Sequence, residues 1–125
     1  MTQNFADMMA AANSAIETIS AEDGINLVGD PTYLFVDVRD AAEHATGMIP
    51  DAIPLPRGFL EFQAHPGSPM YNAAIDGSKK LVVYCASGGR SALAGKTLKE
   101  LGYQDVSHIA GGITAWRNAG GPTTE

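Results

Sequence analysis

Residues 81–103 read LVVYCASGGRSALAGKTLKELGY and decide the fold. The stretch Lys80–Tyr84, KLVVY, is apolar without polar alternation, which fits a strand buried on both faces of a parallel sheet. From Ser91 the pattern becomes helical: Leu93, Ala94, Leu98 and Leu101 share one face, and Gly102 supplies the C′ stop. A strand, a tight glycine-bearing loop and a helix in succession form the unit from which α/β sheets are assembled.

Outward from this unit the same rhythm repeats. TYLFVDV (32–38) is a second buried strand, followed by a short helix in RDAAEHAT (39–46). AIPLP (52–56) is a brief strand closed by Pro56. DVSHI (105–109) is a further short strand. GGITAWRNAG (111–120) is the last helix, with Ala115, Trp116 and Ala119 facing inward. Strands alternating with helices define an α/β domain with a mainly parallel sheet. Near the N-terminus, Phe5, Met8, Met9, Ala12, Ile16 and Ile19 recur at helical spacing over residues 4–19. IETIS (16–20) alternatively forms a short edge strand. Ser20 followed by Asp23 resembles a capping box and opens a short helix from Ala21 to Val28. Residues 57–79 are expected to form short helices and irregular surface loop. A connection this long is often functional, with an ordinary excursion the equal alternative. The chain divides into a helical extension packed on the domain (1–19), the domain itself (20–122) and a frayed tail (123–125).

Composition narrows the partners. The chain has 125 residues and a formal net charge of −6, and a pI near 4.9. This acidic balance disfavours nucleic acid or an anionic membrane as partner. A lone cysteine excludes an internal disulfide and a multi-cysteine metal site. His44, His65 and His108 show no metal-ligand spacing and read as surface or helix-end residues. No metal and no cofactor is expected. The N-terminus lacks a basic region and a long apolar core, and no run reaches the roughly 18 apolar residues of a membrane span. The expected location is cytoplasmic.

Cys85 ends a central strand, where open α/β sheets place their ligands. Gly88 and Gly89 let successive N–H groups turn inward as an anion nest, and the next helix adds its positive end. A thiolate there would be stabilised. Arg90 brings a full charge to the rim. The alternative is a small buried residue before a glycine turn. Local features leave both readings open.

Three blocks, in order, resemble the single-domain rhodanese-like sulfurtransferase family. CASGGRS (85–91) resembles its six-residue active loop, a Cys with an Arg five positions on and Ser or Thr next. FVDVRDAAEHATGMIPDAIPLP (35–56) resembles its upstream block. HIAGGITAWRNAGGP (108–122) resembles its closing Gly-Gly-x-x-x-Trp-x-x-Ala-Gly block. The resemblance implies a rhodanese-like three-layer α/β fold: a central, mainly parallel five-stranded sheet with helices on both faces. It implies that Cys85 takes a sulfane sulfur from a small anionic donor and passes it, as a persulfide, to a thiophilic acceptor. Ala86, Ser87, Gly88, Gly89, Arg90 and Ser91 would bind the donor or the persulfide. With no second cysteine, the acceptor must be cyanide, a small thiol such as glutathione, or a protein thiol. Met48 stands where many members have His, Asp51 where many have Gly, and Ala86 where some thiosulfate-preferring members carry Arg. Arg57, just past AIPLP, is placed by topology to restore a charge to the pocket, with an exposed arginine of no particular role as the alternative. Asp37 and Arg39 are read as structural residues near the site, with Arg39 meeting Glu43 at i, i+4; shaping the pocket floor is the functional alternative. Trp116 is read as core. Tyr71 and Asn72 line the pocket if the long loop folds over it.

Two rivals share this fold. Cysteine-dependent phosphatases and arsenate reductases place the arginine six positions after the cysteine, enlarging the ring of amides to fit a tetrahedral oxyanion. Here the span is five, from Cys85 to Arg90. Non-catalytic or regulatory rhodanese-like protein-binding modules typically lack the cysteine, which this chain keeps.

Overall fold

Side-chain alternation along the central strand sorts the chain into layers. The computed structural model describes residues 3–124. In chain order the elements are α1 (Phe5–Ala15), β1 (Glu17–Ile19), α2 (Ala21–Ile25), β2 (Tyr33–Asp37), α3 (Ala41–His44), β3 (Ile53–Pro54), a 3-10 turn (Arg57–Phe59), α4 (Leu60–Ala64), β4 (Lys80–Tyr84), α5 (Gly89–Glu100), β5 (Val106–Ile109) and α6 (Gly112–Asn118). The five strands form one sheet in the order β1-β5-β4-β2-β3, and every pairing is parallel. In β4, Leu81 and Val83, with Cys85 just beyond, join the core that includes Ile16 just after α1, Leu60 and Ala64 of α4, and Ala94 and Leu98 of α5. Val82 and Tyr84 face the opposite way, into a second core with Ala21 of α2 and Ile113 and Trp116 of α6. This is the three-layer α/β arrangement that the motif blocks imply.

The edge of the sheet departs from the helical reading of residues 4–19. Helix α1 stops at Ala15, and Glu17–Ile19 form the short strand, in register with Ser107–Ile109. Without β1, one side of β5 would present unpaired backbone groups, and pairing satisfies them. Two helix faces also differ in detail. On α5 the buried set is Ser91, Ala92, Ala94, Gly95 and Leu98; Leu93 and Leu101 are half-buried. On α6, Ile113 and Trp116 point inward while Ala119 is exposed.

Residues 57–79 turn away from Cys85. Their anchors Leu60, Ala64 and Ile75 are fully buried. The Tyr103 hydroxyl donates to the Ala64 carbonyl at 2.7 Å, which pins the segment near the C-terminal end of α5. Tyr71 lines a surface hollow with Leu101 and Tyr103, and the Asn72 N–H donates to the Gln63 carbonyl at 2.8 Å. Neither residue covers the cysteine end of the sheet. The tail is held too: the Thr124 N–H donates to the Met48 carbonyl at 2.8 Å, and Thr124 Oγ1 accepts from the Met48 N–H at 3.1 Å. Glu125 of the expected frayed tail, like Met1 and Thr2 of the extension, lies outside the described residues.

The Gly111–Gly112 pair docks α6 under the end of β4. The Ile113 N–H donates to the Cys85 carbonyl at 2.9 Å and the Thr114 N–H to the Ala86 carbonyl at 3.2 Å. Gly112 has φ +59°, and a Cβ there would strike the Cys85 carbonyl oxygen and lie 2.6 Å from that of Ala86. The closing block is thus a steric requirement of the cysteine loop. On the other flank, Asp51 holds the same left-handed region at φ 64°, where the resembled block has glycine. Gly112→Ala should lower unfolding free energy by about 2–4 kcal/mol, from overpacking plus a disfavoured φ. Asp51→Gly should raise it by about 0.5–1 kcal/mol by relieving that φ. Urea unfolding of the two variants measures both.

Candidate active site

Strand β4 delivers Cys85 to the carboxyl end of the sheet, where the chain must turn over α6. Each peptide's C=O and N–H point in opposite directions. With the Cys85 and Ala86 carbonyls held by α6, the next N–H groups turn toward the interior of the loop. Gly88, at φ +110°, completes the turn and caps α5. The result is a ring of donors around sulfur. The Gly88 N–H lies 3.1 Å from Sγ and the Ser91 N–H 3.4 Å, with Ser91 Oγ at 3.6 Å.

Only 1% of Cys85 is exposed. Burial alone would push its thiol up. Hydrogen bonds from the Ser91 hydroxyl and N–H, and from the Gly88 and Ser87 N–H groups, more than offset this and hold the pKa below the ordinary thiol range. The loop therefore favours a thiolate, or any anion formed on that sulfur. Ser87 and Gly89 are exposed, and Ala86, Gly88 and Arg90 are partly so. The loop face is thus open to solvent while the Cys85 sulfur sits beneath it. A cleft of about 470 Å³ lies at the opposite end of the sheet, lined by Lys80, Glu17 and Val106 among others.

Arg90 does not stand alone on the rim. Its Nη1 and Nη2 grip the Glu43 carboxylate at 2.7 and 2.9 Å. Glu43 is the third residue of α3, and its side chain also accepts from the Asp40 N–H at 3.1 Å. This fork ties the loop after β4 to the helix after β2. It also corrects the expected Arg39–Glu43 pair. Arg39 precedes the helix, so i, i+4 spacing does not bring the two together. Arg39 instead compensates the fully buried Asp37: Nη2 meets Oδ2 at 2.7 Å and Nε meets Oδ1 at 3.0 Å. Nη2 also donates to the Gly47 carbonyl at 2.7 Å. A buried carboxylate without such a partner would be severely destabilising. The Arg39 guanidinium lies 5.8 Å from the Tyr84 ring centroid, and the Tyr84 hydroxyl accepts from the Ile49 N–H at 3.0 Å. Asp37 and Arg39 thus brace the ends of β2 and β4 beneath the loop.

The remaining predicted residues scatter. Arg57 meets Glu61 at 3.0 Å and Thr97 Oγ1 at 3.3 Å, and Thr97 lies two turns along α5 from the loop. His65 is exposed and His44 half-buried. His44 Nε2 is 3.5 Å from Asp37 Oδ1.

His108, expected at the surface, is instead 97% buried, being 3% exposed. Its Nδ1 lies 2.9 Å from Ser91 Oγ. The available signal was alternation: within VSHI it shares a face with Val106, and Val106 is core. Among the described residues, no group of three or more His, Cys, Asp or Glu side chains is arranged to hold a metal ion. Among them too, no helix is long and apolar enough to cross a membrane.

With this geometry established, the chain can be set beside known proteins. Residues 20–119 match the family described as the Rhodanese-like domain, and the chain belongs to that family. It is similar to a sulfurtransferase of Allochromatium vinosum, 40% identical over 89 residues that cover 71% of this chain and 76% of that protein. It is also similar to the thiosulfate:glutathione sulfurtransferase of Saccharomyces cerevisiae, 34% identical over 119 residues, covering 86% and 83% of the two chains. A solved structure from Rhodopseudomonas palustris superposes with a TM-score of 0.93 at 43% identity, covering 99% of this chain and 96% of that one. That protein is described as of unknown function and a possible tyrosine phosphatase. The names of the two curated relatives support a sulfurtransferase family.

The Arg90 fork has a titration signature. Its hydrogen bonds hold the Glu43 carboxyl down from 4.5 to about 2, against a smaller upward push from burial. A depressed folded pKa means the pair's contribution to stability is complete above about 4.5 and fades as pH falls toward about 2. Carbon-detected NMR should give Glu43 a midpoint near 2 in the wild type and near the ordinary carboxylate value in Arg90→Ala.

Proposed function

We propose that the protein is a sulfurtransferase in which Cys85 carries the sulfur. The observation behind this reading is the pair of Gly88 and Ser91 N–H donors closing on Cys85 Sγ, with Arg90 five positions after the cysteine. The Cys85 thiolate attacks the sulfane sulfur of the donor. A new S–S bond forms, the donor's own bond to that sulfur breaks, and the leaving group departs with the electron pair. With thiosulfate as donor the leaving group is sulfite. The persulfide anion then takes the thiolate's place in the ring of amides. An acceptor thiolate or cyanide attacks the outer sulfur and regenerates the Cys85 thiolate.

The acceptor must come from outside, because the chain has one cysteine. The yeast relative's name pairs thiosulfate with glutathione, and a small thiol suits the open loop face. Ala86 adds no charge to the loop, so Arg90 is the cation nearest a bound anion. The donor-binding set is therefore the loop amides of Ala86 to Ser91 together with Arg90.

The phosphatase description of the R. palustris structure names the main rival. A five-position span leaves a smaller ring of amides than tetrahedral phosphate requires, which favours sulfur over phosphorus.

Incubation with thiosulfate or a persulfide donor should add one sulfur to the intact mass, and cyanide should remove it. Cys85→Ser should abolish both. Failure of the wild type to load from any of several donors, or Cys85-dependent hydrolysis of p-nitrophenyl phosphate, would reject this reading. Arg90→Ala should slow loading from anionic donors by roughly tenfold or more, with little effect on neutral ones, as expected for loss of one charged contact.

A further inference from the structure

His108 is a buried imidazole with no part in the sulfur steps above. Its Nε2 lies 3.1 Å from Thr18 Oγ1 and 3.1 Å from Asn13 Oδ1. The Asn13 amide is oriented by its other end, since Nδ2 donates to the Met9 carbonyl at 3.0 Å. The oxygen facing the ring can only accept, so Nε2 carries a hydrogen. In the neutral imidazole this leaves a lone pair on Nδ1, and the Ser91 hydroxyl 2.9 Å away donates to it in preference to the more distant Gly88 carbonyl at 3.2 Å. Ser91 Oγ then presents a lone pair to Cys85 Sγ at 3.6 Å. One continuous path, S–H to O–H to N, runs from the thiol to the imidazole.

We propose that His108 is the internal proton acceptor for Cys85, acting through the Ser91 hydroxyl. Ser91 Oγ takes the thiol proton as its own proton passes to Nδ1. The products are a Cys85 thiolate, a Ser91 hydroxyl now donating to it, and an imidazolium. The Nδ1–H of that imidazolium donates to Ser91, and its Nε2–H to Asn13 and Thr18. Net charge is unchanged, and no outside base is needed.

Burial holds the imidazole below its ordinary range and so opposes the imidazolium, and no charged neighbour contributes. The counter-charge for an imidazolium is therefore the thiolate itself, one hydroxyl away. From the packed elements His108 meets Ser91 of α5, Asn13 of α1, Thr18 of β1 and, in register, Val83 of β4. The charged groups of those elements turn elsewhere: Arg90 to Glu43, Lys96 to Glu100, Lys99 to the Gln104 carbonyl and Lys80 to the Tyr33 ring, while Asp7 is exposed in the first turn of α1. Glu17, beside Thr18, alternates to the other face of the sheet. Both Nε2 partners, Asn13 and Thr18, precede residue 20, where the family match begins. His108 is thus a positioning residue for the nucleophile, and its tautomer is set by the N-terminal segment.

This inference rests on Cys85 being the nucleophile, but its readout is ionisation rather than sulfur transfer. Iodoacetamide alkylation of Cys85 would be followed against pH in the full chain, together with thiolate absorbance. His108→Asn keeps an acceptor for Ser91 but cannot take a proton. It should slow alkylation about tenfold at neutral pH and converge with the wild type above the ordinary thiol pKa of about 8.5. Asn13→Ala/Thr18→Val, which removes both Nε2 partners, should move the profile the same way by a smaller factor. A wild-type profile in His108→Asn, or equal slowing at every pH, would overturn the proposal. If His108→Asn does not fold, the double variant decides, and an unshifted profile there overturns it. A wild type that never takes up sulfur would reject the transferase reading while leaving this measurement intact.

Discussion

Two backbone hydrogen bonds hold the site together: those from the Ile113 and Thr114 N–H groups to the carbonyls of Cys85 and Ala86. A carbonyl fixed outward fixes the following amide inward, and the turn this sets brings the Gly88 and Ser91 N–H groups onto the sulfur. The energetic conflict at Cys85 is plain. Burial opposes charge on the thiol, and the ring of donors more than repays it. Side-chain charge enters only at the edge, through Arg90, and that charge is already shared with Glu43. The cradle is therefore built mainly from backbone dipoles, which are preorganised and need no rearrangement as charge develops.

Beneath the loop lies a second arrangement of opposite character. Asp37 and Arg39 are both buried, and their pairing spans the turn at Gly47 and the ring of Tyr84. A buried ion pair is a weak source of net stability but a strict one in geometry, since either partner alone would be an uncompensated charge. Here it fixes how the ends of β2 and β4 sit relative to each other, and hence where Cys85 emerges. Glu43 and Arg90 repeat the same tie nearer the surface.

Much of this was legible in the sequence because it is local. KLVVY and the helical pattern after Gly89 gave the central unit. The Cys85–Arg90 count gave the loop size. The Gly111–Gly112 pair was legible as part of the closing block, but its close approach to the Cys85 carbonyl was not. What escaped notice involves partners distant in sequence. Nothing in RDAAEHAT reveals that Glu43 reaches Arg90, 47 residues away. Spacing within the helix pointed to Arg39 instead. His108 was misplaced because a polar residue type outweighed its position in an alternating strand. The route of residues 57–79 depended on Tyr103, which no local pattern connects to Ala64. Residues 16–20 could be read as helix or strand, and the free side of β5 decided for strand.

The docking of α6 carries a consequence for the order of events in synthesis. Cys85 is translated before Gly112, and until α6 forms, nothing holds the Cys85 and Ala86 carbonyls. A growing chain therefore bears an ordinary, weakly reactive thiol. The ring of donors around its sulfur is complete only when the last helix closes beneath the loop. The electrostatic setting of Cys85 is in this sense a report on completed folding, since the cradle exists only in the finished chain.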